Sequence, residues 1–279
     1  MKLAIYHNLP TGGALHHLSQ VARALHQAGH ELHLFTPSCA EQKFYSFKDI
    51  ILSHSQIQRE KWTVSRPILN PILYRNYLKK CINQEKDLAE KINSAGFDGI
   101  YLGQCQTWTE PPLLKFLSKD LPSILYCAEP KRSFHEERYL KQIKAWPWWK
   151  KAYRLPTISW MKKGQYENIQ HANKVLCNST FSQKNISKAY PGIEAEVSYI
   201  GVDSDEFQPS KEVTKKHQLI SVGALDPSKN HGMAIDIAGA INQKPEHNTN
   251  IKFEVKIVTD RSYGRTADEL QEKAKALNV

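Results

Sequence analysis

The first forty residues alternate short apolar runs with a glycine-bearing loop and a stretch of helical periodicity. Residues 2–6 (Lys-Leu-Ala-Ile-Tyr) have the pattern of a short buried strand, and Gly12 and Gly13 follow in a loop. Gly29 then stands where a helix would be capped, and residues 31–35 predict the next strand. The helix between them is indicated by apolar residues that recur on one face: Leu15, Leu18, Ala22 and Leu25. This order predicts a βαβ unit with parallel strands.

The same alternation continues along the chain. Residues 41–70 are less regular, and a long helical stretch is predicted from the region of Pro67 and Pro71 to Gly96. Further strands are predicted at residues 98–103, 123–127, 174–177, 197–200, 219–222 and 253–259. Strands that alternate with helices favour an α/β fold, a Rossmann-like, doubly wound parallel sheet.

A polar stretch divides this pattern into two parts. The length of 279 residues corresponds to about two domains. We predict a Rossmann-like domain at residues 1–207, a linker at residues 208–218, and a second α/β unit at residues 219–279. Because this second unit has only two predicted strands, we expect it to be incomplete.

Composition narrows the class of protein and its partners. Apolar residues make up 41% of the chain and charged residues 24%, which excludes a disordered chain. The net charge of +10 favours acidic partners such as phosphates, nucleotides or an anionic membrane face. Five scattered cysteines and no signal-peptide pattern suggest a reducing, cytoplasmic location.

Three loops carry candidate site residues. Gly12 and Gly13 open a helix and could face an anion, although a plain tight turn is an equal alternative. Glu129 and Arg132 follow a strand end, where they could orient hydroxyls or phosphates or simply form a surface turn. In the second unit, the loop from Gly223 ends in a lysine, Lys229, whose ammonium could meet a diphosphate.

Two further patterns leave alternatives open. Asp203 and Asp205 have the spacing of a metal-binding pair, but a turn is the more common role, and no Cys/His cluster predicts a metal site. A basic aromatic segment could lie at a lipid headgroup surface, stack on bases, or pack inside the protein. Its members are Trp146, Trp148, Trp149, Lys150 and Lys151. The sequence contains no recognised nucleic-acid-binding motif to accompany its positive net charge, so we predict no nucleic-acid partner.

Taken together, these segments resemble the family 4 glycosyltransferases, retaining enzymes of the GT-B fold with two Rossmann-like domains. The resemblance rests on the Gly12–Gly13 loop and on four further segments: residues 126–132, 175–182, 200–203 with Phe207, and 221–230. It implies transfer of a sugar from a nucleotide sugar to an acceptor hydroxyl, with no metal or other cofactor. On this resemblance, Gly12 and Gly13 would approach the donor or the acceptor through their backbone. Gly223 and Lys229 would contact the nucleotide sugar, and Glu129 and Arg132 would shape the acceptor side.

The sequence also departs from the family pattern. Ala128 stands where relatives often have a histidine, and Ala224 where they frequently have an arginine. The family's second acidic motif does not occur before Val279, so we expect a truncated second domain and weak or no transfer by this chain. No catalytic residue is assigned. The alternatives are a non-catalytic fragment that binds a membrane or glycan, and a GT-B sugar-nucleotide epimerase.

Overall fold

A computed structural model describes residues 1–41, 46–62, 70–205, 207–209, 214, 216–243, 252–259 and 266–279. The chain divides into two compact units, Met1–Val202 and Asp203–Val279. Pro67 and residues 210–213 and 215 of the predicted linker lie outside the described residues. Each unit is an α/β structure, and they are described in turn.

The first unit is built on a seven-stranded parallel sheet with the order β3-β2-β1-β4-β5-β6-β7. Its strands are β1 Lys2–Asn8, β2 Glu31–Pro37, β3 Ser53–Ile57, β4 Gly99–Cys105, β5 Ser123–Tyr126, β6 Lys174–Cys177 and β7 Ala195–Val197. Its helices are α1 Gly13–Gln27, α2 Asn70–Ser94, α3 Arg132–His135, α4 Glu137–Lys144, α5 Trp148–Ile169 and α6 Thr180–Ala189. The predicted doubly wound parallel sheet is confirmed.

Successive residues of β1 serve the two faces of this sheet. Ile5 packs with the apolar residues of α1, whereas Tyr6 packs in the larger cluster that contains residues of α2 and α6. Helix α1 ends as the sequence predicts: Gly29 has φ +83°, and the His30 N–H donates to the Leu25 carbonyl. Both faces of the sheet are therefore covered, as parallel sheets require.

One strand was missed and one was misplaced. Strand β3 was missed because its sequence, Ser-His-Ser-Gln-Ile, is mostly polar, as suits a strand that lies at the edge of the described sheet and pairs with β2. The last strand of the sheet is Ala195–Val197 rather than residues 197–200. Tyr199 and Ile200 supply the apolar pattern at that point, but both side chains are exposed to solvent.

The second unit contains a two-stranded parallel sheet, β8 Gln218–Val222 and β9 Glu254–Val258. Helices α7 His231–Asn242 and α8 Thr266–Leu277 accompany it, and α7 packs against both strands and α8. Ile220 and Val222 of β8 remain exposed. Of the predicted linker, Gln218 is the first residue of β8.

Helix α5 lies close to the loop after β4 because Gly164 has no side chain. A Cβ atom at this position would lie 2.8 Å from Cζ3 of Trp108, nearer than real Cβ contacts allow. Trp108 is buried and meets Trp160 edge-on at 5.1 Å between ring centroids. The Gln165 side chain donates to the Trp108 carbonyl at 2.6 Å. The helix and the loop are thus held against each other.

A buried carboxylate joins four segments of the first unit. Glu85 lies on the inward stripe of α2, where Leu78, Cys81, Leu88 and Ile92 are also buried. Its Oε1 accepts from Tyr6 Oη at 2.8 Å and lies 3.1 Å from Arg59 Nη1, and its Oε2 accepts from the Leu113 N–H at 3.0 Å. Every oxygen of this buried anion is therefore hydrogen-bonded.

We expect Glu85→Gln to destabilise the first unit by about 3–5 kcal/mol, because it leaves the buried Arg59 guanidinium without its counter-charge. Denaturant unfolding of both proteins measures this difference. The matched control is Glu137→Gln, which breaks an exposed i,i+4 pair with Lys141 and should leave the unfolding midpoint unchanged. Equal midpoints for wild type and Glu85→Gln would contradict the assignment.

Candidate functional site

The carboxyl ends of the parallel strands bring four loops to one edge of the first unit's sheet. These loops follow β1, β4, β5 and β6. The order of strands reverses between β1 and β4, which are neighbours in the sheet although α1, β2, β3 and α2 separate them in sequence. Open α/β sheets bind ligands beyond the carboxyl ends of their strands at such a reversal. The candidate site of this unit therefore lies at this edge.

The Gly12–Gly13 loop follows β1 and begins α1. Gly12 has φ +148°, a conformation that side chains rarely adopt, and its carbonyl accepts from the Leu15 and His16 N–H groups at 3.1 and 3.0 Å. Gly13 and Ala14 are exposed, and the Gly12 cap position has no side-chain hydrogen bond from the part of the chain that the structure describes. A Cβ at Gly13 would meet nothing within 4 Å. Gly12 is thus required by its backbone, and Gly13 leaves the helix N-terminus open.

Polar side chains that the sequence analysis did not single out form hydrogen bonds beneath the loops at this edge. Asn8, at the end of β1, is buried, and its Nδ2 lies 3.2 Å from Cys105 Sγ and 3.4 Å from Thr107 Oγ1. Gln106 Nε2 donates to Asn8 Oδ1 at 2.9 Å. These bonds join the end of β1 to the loop after β4, on either side of the strand reversal.

The structure places Glu129 and Arg132 together, but the guanidinium faces a third residue. Arg132 lies 3.8 Å from Glu129 and donates to Glu136 Oε1 from Nε and Nη2 at 2.9 and 2.8 Å. These bonds hold the pKa of the Glu136 carboxyl below its usual value. The Glu129 carbonyl accepts from Gln104 Nε2 at 2.7 Å. The loop is therefore ordered by its own ion pairs and by the end of β4.

A buried carboxyl group lies behind this loop. Glu110 is fully buried, and burial raises its pKa to about 8. Cys127 Sγ is 3.8 Å from its Oε1, and the Tyr190 hydroxyl beside this carboxyl group lowers the pKa by less than burial raises it. The ammonium of Lys131 donates to the Thr107 carbonyl at 3.2 Å, and burial lowers its pKa. A pKa of about 8 favours the protonated form of Glu110 at neutral pH, which sequence spacing could not reveal.

His17 is a second residue whose setting the sequence did not indicate. It is buried on α1, with its ring 4.0 Å from that of Tyr126 and its Nε2 3.5 Å from Tyr101 Oη. Burial lowers its pKa, and the neighbouring His16 lowers it further. The ring is therefore neutral near pH 7 and packs the first helix against β4 and β5.

The candidate loop of the second unit runs from Gly223 to Lys229. Gly223 has φ +150°, and a Cβ there would lie 3.6 Å from the Lys229 side chain. Asp226 accepts from the Ser228 N–H at 2.8 Å, and His231 Nε2 lies 3.0 Å from the Ala224 carbonyl. Because a carbonyl only accepts, Nε2 of this histidine carries a proton. These hydrogen bonds fix the conformation of the loop, and the Lys229 side chain is exposed.

The paired aspartates form a turn. Asp203 Oδ1 accepts from the Asp205 N–H at 3.0 Å, and its carbonyl accepts from the Phe207 N–H. Among the described residues, no group of three or more His, Cys, Asp or Glu side chains could hold a metal ion. All five cysteines are buried and unpaired.

The basic aromatic segment spans the start of α5. Trp148 and Trp149 are 80% and 59% exposed, whereas Trp146 is half-buried with the Lys150 ammonium 4.6 Å from its ring centroid. Lys151 follows on the same helix. Within the described parts of the chain, no helix combines the length and apolar character needed to cross a bilayer.

Comparison with known proteins gives one sequence match. The sequence model of Glycosyltransferase Family 4 matches residues 11–206. This range covers most of the first unit, including Gly12 and Gly13 after β1 and the loops after β4, β5 and β6. No curated protein is significantly similar to the chain in sequence.

Solved structures are similar in fold at low sequence identity. HepE of Anabaena, in complex with UDP and glucose, has a TM-score of 0.56 and 15% identity over 100% of this chain and 67% of its own. A TarM mutant of S. aureus, in complex with fondaparinux, α-GlcNAc-glycerol and UDP, has a TM-score of 0.58 and 9% identity over 100% of this chain and 76% of its own. A glycosyltransferase of Rickettsia africae has a TM-score of 0.53 and 16% identity over 99% of this chain and 66% of its own. These likenesses confirm the predicted GT-B fold class.

The buried acid gives a pH-dependent prediction. Because the pKa of Glu110 is raised from 4.5 to about 8 by folding, the folded chain holds a proton that the unfolded chain releases in this range. The free energy of unfolding of wild type should therefore fall, relative to Glu110→Gln, by up to about 1.4 kcal/mol per unit as pH rises from 4.5 to 8.

Denaturant unfolding across this pH range measures the difference. Glu194→Gln, which changes an exposed carboxylate on the same unit, should give a curve parallel to wild type. A Glu110→Gln curve that is also parallel to wild type would show that Glu110 is ionised in the folded protein.

Proposed function

The chain belongs to glycosyltransferase family 4, and from this membership we propose that it transfers a sugar from a nucleotide sugar to an acceptor hydroxyl with retention of configuration. The product would belong to a glycan, a glycolipid or a cell-envelope polysaccharide. The observation that carries the proposal is the match over residues 11–206, which includes the loops at the carboxyl edge of the first sheet. The chain spans 66–76% of the three compared structures, so activity of the whole protein is part of the proposal.

The donor would be held by the loop between β8 and α7. Gly223 lets the backbone turn closely there, and Lys229 presents its ammonium to solvent just before α7. Cleavage of the bond between sugar and diphosphate places negative charge on the leaving phosphate, which a cation stabilises. Two of the compared proteins are described with UDP, and we propose a UDP-sugar as the donor class.

The acceptor would be held at the carboxyl edge of the first unit. The exposed start of α1 after Gly12 offers backbone N–H groups and the positive end of a helix dipole. Arg132 orients the Glu136 carboxylate through two hydrogen bonds and lies near Glu129. Carboxylates held in this way are suited to accept hydrogen bonds from sugar hydroxyls.

We also propose that the protein works at the cytoplasmic face of a membrane. Trp148 and Trp149 are exposed and adjoin Lys150 and Lys151, a combination of tryptophan and lysine suited to anionic headgroups. This proposal is independent of the donor loop, and it provides contact with a lipid-linked acceptor.

Donor binding tests the main proposal. We expect calorimetric titration with UDP-glucose to give saturable binding, with Lys229→Ala raising the Kd about tenfold and Lys229→Arg restoring part of the loss. The control Lys275→Ala removes an exposed lysine from α8 and should bind as wild type does. Transfer and hydrolysis of UDP-glucose are assayed on the same samples. Binding without turnover would favour the non-catalytic alternative, and no binding to any UDP-sugar would contradict the proposal.

Vesicle sedimentation tests the membrane proposal. Wild type should sediment with phosphatidylglycerol-containing vesicles, less at high salt, and little with phosphatidylcholine alone. The double variant Trp148→Ser with Trp149→Ser should remain mostly in the supernatant. Phe181→Ser, which removes another exposed aromatic ring, is the control and should behave as wild type does. Equal sedimentation of the double variant and wild type would remove the membrane role.

A further inference from the structure

A cavity of about 310 Å³ lies in the first unit, between the start of α2, helix α3 and helix α5. This volume is at the lower end of the range for small-molecule sites. The lining residues combine rings, aliphatic groups and two cations: Trp62, Pro71, Tyr74, Lys131, Phe134, Trp146, Arg154, Thr157, Ile158 and Met161. None of the functional residues predicted from sequence, apart from Trp146, lines it.

The floor of the cavity is part of a packed core. Phe134 and Met161 are 6% and 3% exposed and belong to one cluster with Leu78, Cys105 and Trp108. Gly164 brings α5 against the same Trp108 ring. Because rigid groups form this floor, the cavity exists before any ligand arrives.

The walls are aromatic. Trp62 and Tyr74 lie with ring centroids 5.1 Å apart, and both are half-buried. Trp146 supplies a further ring, beneath the Arg154 guanidinium at 5.6 Å. Rings of this kind offer large flat surfaces at low entropic cost. They are suited to the apolar face of a sugar ring.

The charge of the cavity has one sign. Lys131 and Arg154 line it, and none of the described lining residues is acidic. Arg154 is exposed at the rim, and a guanidinium binds a carboxylate or a phosphate through two parallel hydrogen bonds. Lys131 donates one hydrogen bond to the Thr107 carbonyl and keeps further donor capacity. The occupant should therefore carry negative charge.

We propose that this cavity binds a saccharide ring that bears an anionic group, with the ring against the aromatic walls and the anion on Arg154. The inference rests on the proposed function, because it names the chemical class of the acceptor. Lys131 joins the cavity to the site edge: its ammonium bonds Thr107, whose hydroxyl lies 3.4 Å from Asn8 Nδ2 at the end of β1. An acceptor anchored in the cavity lies beside the loops after β4 and β5.

Titration with small probes tests the proposal. Glucose 6-phosphate and glucuronic acid each combine a ring with an anion, and the better of the two identifies phosphate or carboxylate as the group recognised. Glucose lacks the anion, and inorganic phosphate lacks the ring. We expect one or both combined probes to bind at least about tenfold more tightly than either single-feature probe, and more weakly at high salt.

Variants of Arg154 test whether the probe binds in the cavity or elsewhere on the surface. Arg154→Ala should weaken binding of the combined probe roughly 5- to 10-fold, with Arg154→Lys between it and wild type. The control Arg23→Ala removes an exposed arginine from α1 and should not change binding. Circular dichroism establishes that each variant is folded. Binding of UDP-glucose should be the same in wild type and Arg154→Ala.

The outcomes distinguish this inference from the proposed function. If UDP-glucose binds but neither combined probe does, or if Arg154→Ala binds the probe as wild type does, the cavity proposal is wrong and the donor proposal stands. If the probe binds through Arg154 and no UDP-sugar binds, the cavity is a saccharide site and the transferase proposal fails. Equal affinity for glucose and the combined probes would overturn the anionic assignment.

Discussion

The carboxylate of Glu85 is the constraint on which the first unit depends. It lies on the apolar stripe of α2 and binds Tyr6 of β1, Arg59 beyond β3 and the backbone of Leu113 beyond β4. Removing one partner of a buried anion is costly, so these segments stabilise one another through the same carboxylate. Since β1 and β4 flank the reversal of strand order, the hydrogen bonds of this carboxylate link β1 and the segment after β4, which lie beside the candidate site.

The sheet was largely predictable because its central strands are continuous apolar runs separated by helical patterns. The glycine that ends α1, Gly29, was also predictable, because a helix C-cap commonly requires a positive φ. Strand β3 was not, because an edge strand can be polar on both sides. The end of the sheet was misplaced because the exposed residues Tyr199 and Ile200 have the composition of a strand. An apolar pattern therefore predicts a strand correctly only where its side chains are buried in the fold.

The loops that form the site were predictable from the sequence, but the hydrogen-bond partners of their side chains were not. The sequence places Glu129 and Arg132 after a strand, and it also contains the competing acceptor, Glu136, four residues beyond Arg132 at the end of α3. By contrast, Glu110 has no distinguishing neighbours in sequence, and its burial follows from the packing of distant segments. Asn8 and Gln104 are similar cases, because their hydrogen bonds cross between strands. Side-chain chemistry that depends on tertiary contacts cannot be derived from spacing.

The contact between Gly164 and Trp108 also bears on how this protein can diverge. A methyl group at position 164 would collide with the indole, so α5 has no room to slide or rotate over the loop after β4. Exchanges of side chains along the walls of the cavity would then change its shape without moving the backbone of α5. Homologues with a larger residue at this position would need a smaller one in place of Trp108.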